Sequence, residues 1–121
     1  MEYTPKQIAL RAAKALDDRK GLDIRLLEVG DVTSIADYFL ICTGTSNTHV
    51  KTLCDAAEAA VEEMGEPLLH REGHRGGTWV LLDFGCVVVH VFTNETREFY
   101  DLERLWNDAT QIPVSFEEEA K

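Results

Sequence analysis

The run Tyr38-Phe39-Leu40-Ile41-Cys42 constrains the fold of this chain more than any other segment. Five consecutive apolar residues leave no polar side to turn to water. Successive side chains of a strand point to opposite faces, so such a strand must be covered on both. The run ends at Gly44, and Ser46-Asn47 then opens a helix. A covered central strand followed by a helix points to an α/β sheet with helices packed on it.

The flanking segments fit that frame. Thr4-Pro5-Lys6-Gln7 starts a first helix, with Thr4 as cap, Pro5 at the first helical position and Gln7 completing a capping box. Ile8, Ala9, Ala12, Ala13 and Leu16 recur at helical spacing and are small enough for close packing on a sheet. Arg19 and Lys20 are expected in its last turn, with Gly21 as the stop. Over residues 22–29, Leu22, Ile24 and Leu26 alternate with Asp23 and Arg25, the period of a half-exposed strand. The second helix carries the stripe Val50, Leu53, Cys54, Ala57, Val61 and Met64, with Lys51, Asp55, Glu58 and Glu62 opposite and Gly65 at its end. Pro67-Leu68-Leu69 is expected to begin a short third strand, and residues 71–77 a Gly-rich loop. Trp79-Val80-Leu81-Leu82 and Val87-Val88-Val89-His90-Val91-Phe92 are strands joined by so short a link that they should form an antiparallel hairpin. A last helix is expected over residues 96–107, with Phe99, Leu102 and Trp106 on one side. The sum is one α/β domain over residues 1–110, a mixed five-stranded sheet flanked by helices, and an acidic tail over residues 111–121 with Pro113 and Glu117-Glu118-Glu119.

Charge narrows the function. Twelve Lys+Arg against 22 Asp+Glu give a net charge of -10. A chain this acidic does not hold nucleic acid by neutralising phosphates. Its macromolecular partner should be basic. Cys42, Cys54 and Cys86 are odd in number, widely spaced and set in apolar runs, which is no disulfide framework but the pattern of buried thiols in a reducing cytosol. No apolar run approaches a membrane span, and the first residues carry neither a secretory signal nor an organelle transit pattern, so a cytoplasmic protein is expected.

The motifs that could carry chemistry are incomplete. His70 and His74 stand four apart, but Glu72 is out of register for a metalloprotease pattern and Gly73, Gly76 and Gly77 oppose a helix there. Asp83-Phe84-Gly85 matches a kinase triplet by letters, without the rest of a kinase. Thr43-Gly44-Thr45-Ser46, between a strand and a helix, could hold an anion. A nucleotidyltransferase uses such a turn with paired carboxylates for magnesium ions, and here Asp83 stands alone. His49 and Cys54 have no third orienting group to make a nucleophile pair, and His90 reads as a core histidine. No catalytic residue, metal site or cofactor is assigned. The segment from Arg97 to Trp106, together with Trp79, is rich in the residue types of binding hot spots.

Several segments, in order and spacing, carry a family likeness: Ala36-Asp37-Tyr38-Phe39, Ile41-Cys42-Thr43-Gly44-Thr45-Ser46 with His49 following, Glu72-Gly73, Trp79-Val80-Leu81-Leu82-Asp83-Phe84-Gly85, Val87-Val88-Val89-His90-Val91-Phe92 and Arg97-Glu98-Phe99-Tyr100-Asp101-Leu102-Glu103-Arg104-Leu105-Trp106. Over roughly residues 4–107 the chain resembles the ribosomal silencing factor family, RsfS, also called Iojap-like. It departs from the family pattern at Cys86, where Asp is common after the hairpin glycine, and at Phe99, where a second Tyr is frequent. The resemblance implies a mixed sheet flanked by helices, related to the nucleotidyltransferase fold. It implies no enzymatic activity. It implies binding to the large ribosomal subunit through universal ribosomal protein fourteen, which would block joining of the small subunit and repress translation when nutrients are scarce. Organelle relatives act in assembly of the large subunit.

On that reading the docking surface combines Trp79, Leu82 and Asp83 on the hairpin with Tyr100, Asp101, Glu103 and Arg104. Aromatic rings would supply buried area, and carboxylates would pair Lys or Arg of a basic ribosomal protein. Acidity would also repel the surrounding RNA, so no sequence-specific nucleic-acid contact is expected. Rival expectations are a nucleotide-binding or nucleotidyltransferase-like enzyme, a metal-binding module, and a homodimer through an exposed edge strand.

Overall fold

The computed structural model describes residues 3–114, apart from the side chains of His74, Arg75 and Leu105. Its centre is the apolar run: β2 (Tyr38–Gly44) is buried along its whole length. It pairs in parallel with β5 (Val87–Thr93), from Tyr38 opposite Val87 to Gly44 opposite Thr93. Among the described residues the sheet has six strands, in the order β3 (His70–His74), β4 (Trp79–Asp83), β5, β2, β1 (Leu22–Glu28) and β6 (Thr110–Ile112), and every pair except β2–β5 is antiparallel. The expected α/β mixed sheet with helices is observed, with one strand more than the five expected. The sixth, β6 (Thr110–Ile112), pairs Leu26 with Ile112 and so takes Gln111 and Ile112, which the sequence reading gives to the tail. Glu117, Glu118 and Glu119 lie outside the described residues.

Two helices cover one face. α1 (Pro5–Asp18) has the expected capping box between Thr4 and Gln7 and buries Ile8, Ala9, Ala12, Ala13 and Leu16. It ends earlier than expected. Arg19 is its C-cap, and Lys20, not Gly21, takes the left-handed conformation at φ 64°. Gly21 is required for another reason: a Cβ there would stand 2.5 Å from Cys42 Sγ. α2 (Asn47–Glu63) is capped by Ser46 and buries Val50, Leu53, Cys54, Ala57 and Val61. Against them lie Tyr38, Leu40 and Cys42 of β2, Val87, Val89 and Val91 of β5, and Val80 and Leu82 of β4 (Trp79–Asp83).

The opposite face carries Leu27, Phe39, Ile41, Val88 and Phe92, with Trp79, Leu81, Tyr100, Leu102 and Trp106 packed on it. Its cover is the C-terminal segment. The single helix expected over residues 96–107 is instead two, α3 (Asn94–Tyr100) and α4 (Leu102–Leu105), broken at Asp101 with φ 49°. The break alters which residues pack. Tyr100, Leu102 and Trp106 turn to the sheet, while Phe99 is 73% exposed.

Two more differences have local causes. In β1 (Leu22–Glu28) the register to β2 shifts between Leu22 and Arg25, where Asp23 has φ 47°. The extra residue reverses the alternation. Ile24 and Leu26 keep to the α1–α2 face, while Leu22 is 48% exposed. The expected loop over residues 71–77 is mostly strand: β3 (His70–His74) forms the sheet edge beside β4, and the turn proper is a short 3-10 segment, Arg75–Gly77.

Candidate functional site

The sheet face away from α1 and α2 holds the densest aromatic cluster. The hairpin positions its first member. Phe84 N–H donates to the Val87 carbonyl, Gly85 N–H donates to Asp83 Oδ1 at 2.8 Å, and Gly85 itself sits at φ 89°. This closes β4 on β5 with Trp79 opposite Phe92 and Leu81 opposite His90. Trp79 stacks on Phe92 at 5.1 Å between centroids and meets Tyr100 at 4.7 Å. Phe99 stands edge-on to Tyr100 at 5.1 Å. Trp79, Leu81 and Tyr100 are half-buried, so Leu81, Trp79, Tyr100 and Phe99 form a band that packs inward and still shows apolar surface. Glu98, Phe99, Tyr100, Asp101 and Arg104 line an open depression beside it.

The expected docking residues are thus only partly brought together. Trp79, Tyr100, Asp101 and Arg104 lie on or next to this band. Leu82 does not: it is fully buried on the α1–α2 face, because neighbouring residues of a strand point opposite ways. Leu81 takes the place that the sequence reading gave to Leu82. Asp83 is on the band's face, with one carboxylate oxygen closing the hairpin. Glu103 is engaged inward: its two oxygens take Arg97 Nε at 3.2 Å and an Arg97 terminal nitrogen at 2.7 Å.

Arg97 is the residue that sequence reasoning missed. Its side chain is 7% exposed and clamps four elements. Besides Glu103 it donates to the Asp23 carbonyl at 2.8 Å and to Thr43 Oγ1 at 2.7 Å. The β1 bulge delivers that carbonyl and the end of β2 that hydroxyl. A bidentate guanidinium–carboxylate pair with further acceptors is a rigid joint. Here it holds α4, and with it Leu102 and Trp106, over Phe39, which Trp106 meets edge-on at 5.1 Å.

His90 lies under the band. Trp79 Nε1 donates to its Nδ1 at 3.3 Å, and Phe39 meets its ring edge-on at 5.2 Å. Burial pushes its pKa from 6.5 down to about 4. The neutral ring is the one the fold accepts. Its stabilisation is complete above the unfolded value of 6.5 and is lost as pH falls toward 4, by up to about 3 kcal/mol. Denaturant melts of the wild type and His90→Phe near pH 7 and near pH 4.5 check this. The wild type should lose more stability than the variant on acidification; equal losses would contradict the assignment.

The other motifs are absorbed by the fold. Thr45 N–H donates to His49 Nδ1 at 2.9 Å, so the ring proton is on Nε2, 2.9 Å from the Arg19 carbonyl. His49 therefore bolts the start of α2 to the end of α1, away from any role with Cys54. Burial pushes the Cys42 and Cys54 thiols up to about 12, unlike reactive nucleophiles. The strand register also separates the parts of the nucleotidyltransferase alternative. Asp83 is level with Val88 and hence with Phe39, whereas the Thr43-Gly44 turn is level with Phe92 and Thr93. At roughly 3.3 Å per residue these lie ~15 Å apart along the sheet. Among the described residues no group of three or more His, Cys, Asp or Glu is arranged to hold a metal ion. None of the described helices is long and apolar enough to cross a membrane.

Comparison with known proteins agrees with this architecture. A family described as "Ribosomal silencing factor during starvation" matches residues 2–121. A ribosomal silencing factor RsfS of Bacillus subtilis is 40% identical over 111 residues, covering 92% of this chain and 94% of the relative. A mouse (Mus musculus) relative, mitochondrial assembly of ribosomal large subunit protein 1, is 33% identical over 87 residues, 69% of this chain and 38% of its own length. A crystal structure of a Chromobacterium violaceum protein, 38% identical, matches with a TM-score of 0.84 over 93% of this chain and 92% of that one.

Proposed function

The chain belongs to the ribosomal silencing factor family, RsfS, and from that premise we propose that it binds the large ribosomal subunit through universal ribosomal protein fourteen, using the band of Leu81, Trp79, Tyr100 and Phe99. Bound there, it stands where the small subunit must dock and represses translation by obstruction. The mechanism is steric and stoichiometric, with no turnover, metal or nucleotide, and it operates in the cytoplasm alongside the ribosome.

The observation that carries this reading is the band itself. Apolar aromatic surface is exposed on one face, with Phe99 at its outer end and Asp101 and Glu98 at its rim. Buried aromatics with a polar rim are the anatomy of a protein interface. A net charge of -10 suits a basic ribosomal protein and disfavours the RNA around it. The mouse relative's name, assembly of the ribosomal large subunit, supports the choice of subunit.

Neighbouring leucines test the face. Leu81→Asp should fold and lose cosedimentation with large subunits, because it charges the band. Leu82→Ala should cost about 2–5 kcal/mol of stability through a core cavity. The Leu82→Ala molecules that remain folded should bind as the wild type does. The reverse pattern, with Leu81→Asp binding and folded Leu82→Ala not, would place the docking surface elsewhere.

A further inference from the structure

An indole stacked on another ring is confined in its plane but not in its sense: turned over, it covers nearly the same area while its N–H points the other way. Trp79 stacks on Phe92 at 5.1 Å and meets Tyr100 at 4.7 Å with the ring planes tilted by 45°, and ring contacts of this kind do not select the side on which the N–H lies. A directional bond decides the sense. Trp79 pairs with Phe92 and Leu81 with His90 across the β4–β5 ladder, so Trp79 and His90 are diagonal neighbours on one face, within reach of each other. We infer that His90 is a positioning residue of the docking face: its Nδ1 accepts the Trp79 indole N–H and sets the orientation in which that ring meets the partner. This rests on the proposal above that Trp79 docks.

The chemistry of the pair leaves one protonation pattern. An indole N–H only donates, so Nδ1 must present its lone pair and the ring proton must be on Nε2. Nε2 is buried and has no hydrogen-bond partner among the described residues. Burying a donor without a partner is unfavourable. The surroundings would suit a phenyl ring: Phe39 edge-on at 5.2 Å and Phe92 nearly parallel at 6.1 Å. Phenylalanine would fill this place with no unsatisfied donor. Packing alone therefore argues against histidine here, whereas the bond to Trp79 at 3.3 Å accounts for it. His90 reaches no partner itself, being 6% exposed, and acts through the half-buried Trp79.

The test uses His90→Phe, which keeps the ring and removes the acceptor, and His90→Asn, whose carbonyl oxygen stands near the Nδ1 position. Indole N–H hydrogen exchange is read by NMR in the free full-length protein. The chain has two tryptophans, and Trp79→Phe identifies which signal belongs to Trp79. His90→Phe should fold with an unfolding midpoint at or above the wild type's. Its Trp79 N–H should exchange roughly tenfold faster, and its affinity for purified large subunits should fall about three- to tenfold, the weight of one directed hydrogen bond. His90→Asn should restore slow exchange and most of the affinity. If His90→Phe does not fold, His90→Asn against His90→Gln makes the same comparison, since glutamine's longer arm takes its carbonyl past the Nδ1 position. Slow exchange in the variant lacking the acceptor would overturn the inference. So would unchanged affinity for His90→Phe beside a weakened Trp79→Ala. Unchanged affinity for Trp79→Ala overturns the docking reading instead, so the two failures are distinguishable.

Discussion

Replacing Trp79 with alanine should weaken binding to large ribosomal subunits by at least about thirtyfold, the loss typical of an aromatic hot spot. Trp79 is the centre of the exposed band and its link to the core. It stacks on Phe92, leans on Tyr100 and bonds to His90, so a partner meets a ring already held in place. Such an anchor loses little side-chain freedom on binding. The same substitution removes only a half-buried side chain and should leave a folded domain. Equilibrium sedimentation of purified subunits with wild type, Trp79→Ala and Trp79→Phe measures the effect. Phenylalanine should fall between the other two, keeping ring area and losing the indole bond. Wild-type binding by folded Trp79→Ala would remove the band from the interface.

The largest stability effect should come from Arg97→Met. Breaking a buried ion pair by removing one partner typically costs about 3–5 kcal/mol. Glu103 is 29% exposed here, so the loss should lie near the lower end of that range. A melting temperature lower by roughly 10 °C is expected for a domain of this size. Methionine leaves the Asp23 carbonyl, the Thr43 hydroxyl and Glu103 without their shared donor. Arg97→Lys should rescue little, because an ammonium cannot reproduce the bidentate fork. Glu103→Lys should show the same loss, placing a cation against Arg97. Subunit binding by Glu103→Lys should then fail because the cover of the sheet loosens, and the fall in melting temperature distinguishes this from a lost rim contact. Melting curves that match wild type for both variants would refute the joint.

The parts of the fold written in local patterns are legible in the sequence. Continuous apolarity makes β2 central, Thr4 and Gln7 start α1, and the short link at residues 83–86 makes β4 and β5 a hairpin. What escapes reading depends on partners far away in the chain. β3 looks like a loop because its residues are polar or glycine. Arg71 instead faces α2, where Asp55 and Glu58 hold it at 3.0 and 2.8 Å. β6 is three residues long and gains strand form from β1.

The sequence pattern brings Trp79 and Tyr100 to one face but leaves the parity of the strand unread, since Leu82 is buried on the other. Trp79-Val80-Leu81-Leu82 is apolar throughout, so nothing in the run itself separates Leu81 from Leu82. Counting alternate positions along the strand from Trp79 selects Leu81 and Asp83. Arg97 and Glu103 are six apart, a spacing that cannot meet on a continuous helix. The turn at Asp101 brings them together, and an aspartate at φ 49° announces no break in the sequence.

The proposed obstruction of subunit joining is measured by light scattering of purified large and small subunits mixed with magnesium ions. The wild-type chain, added to large subunits first, should suppress the rise in scattering in proportion to the large subunits it occupies. Trp79→Ala and Leu81→Asp should leave the rise intact at the same concentration. Full subunit association in the presence of saturating, bound wild-type protein would contradict the account.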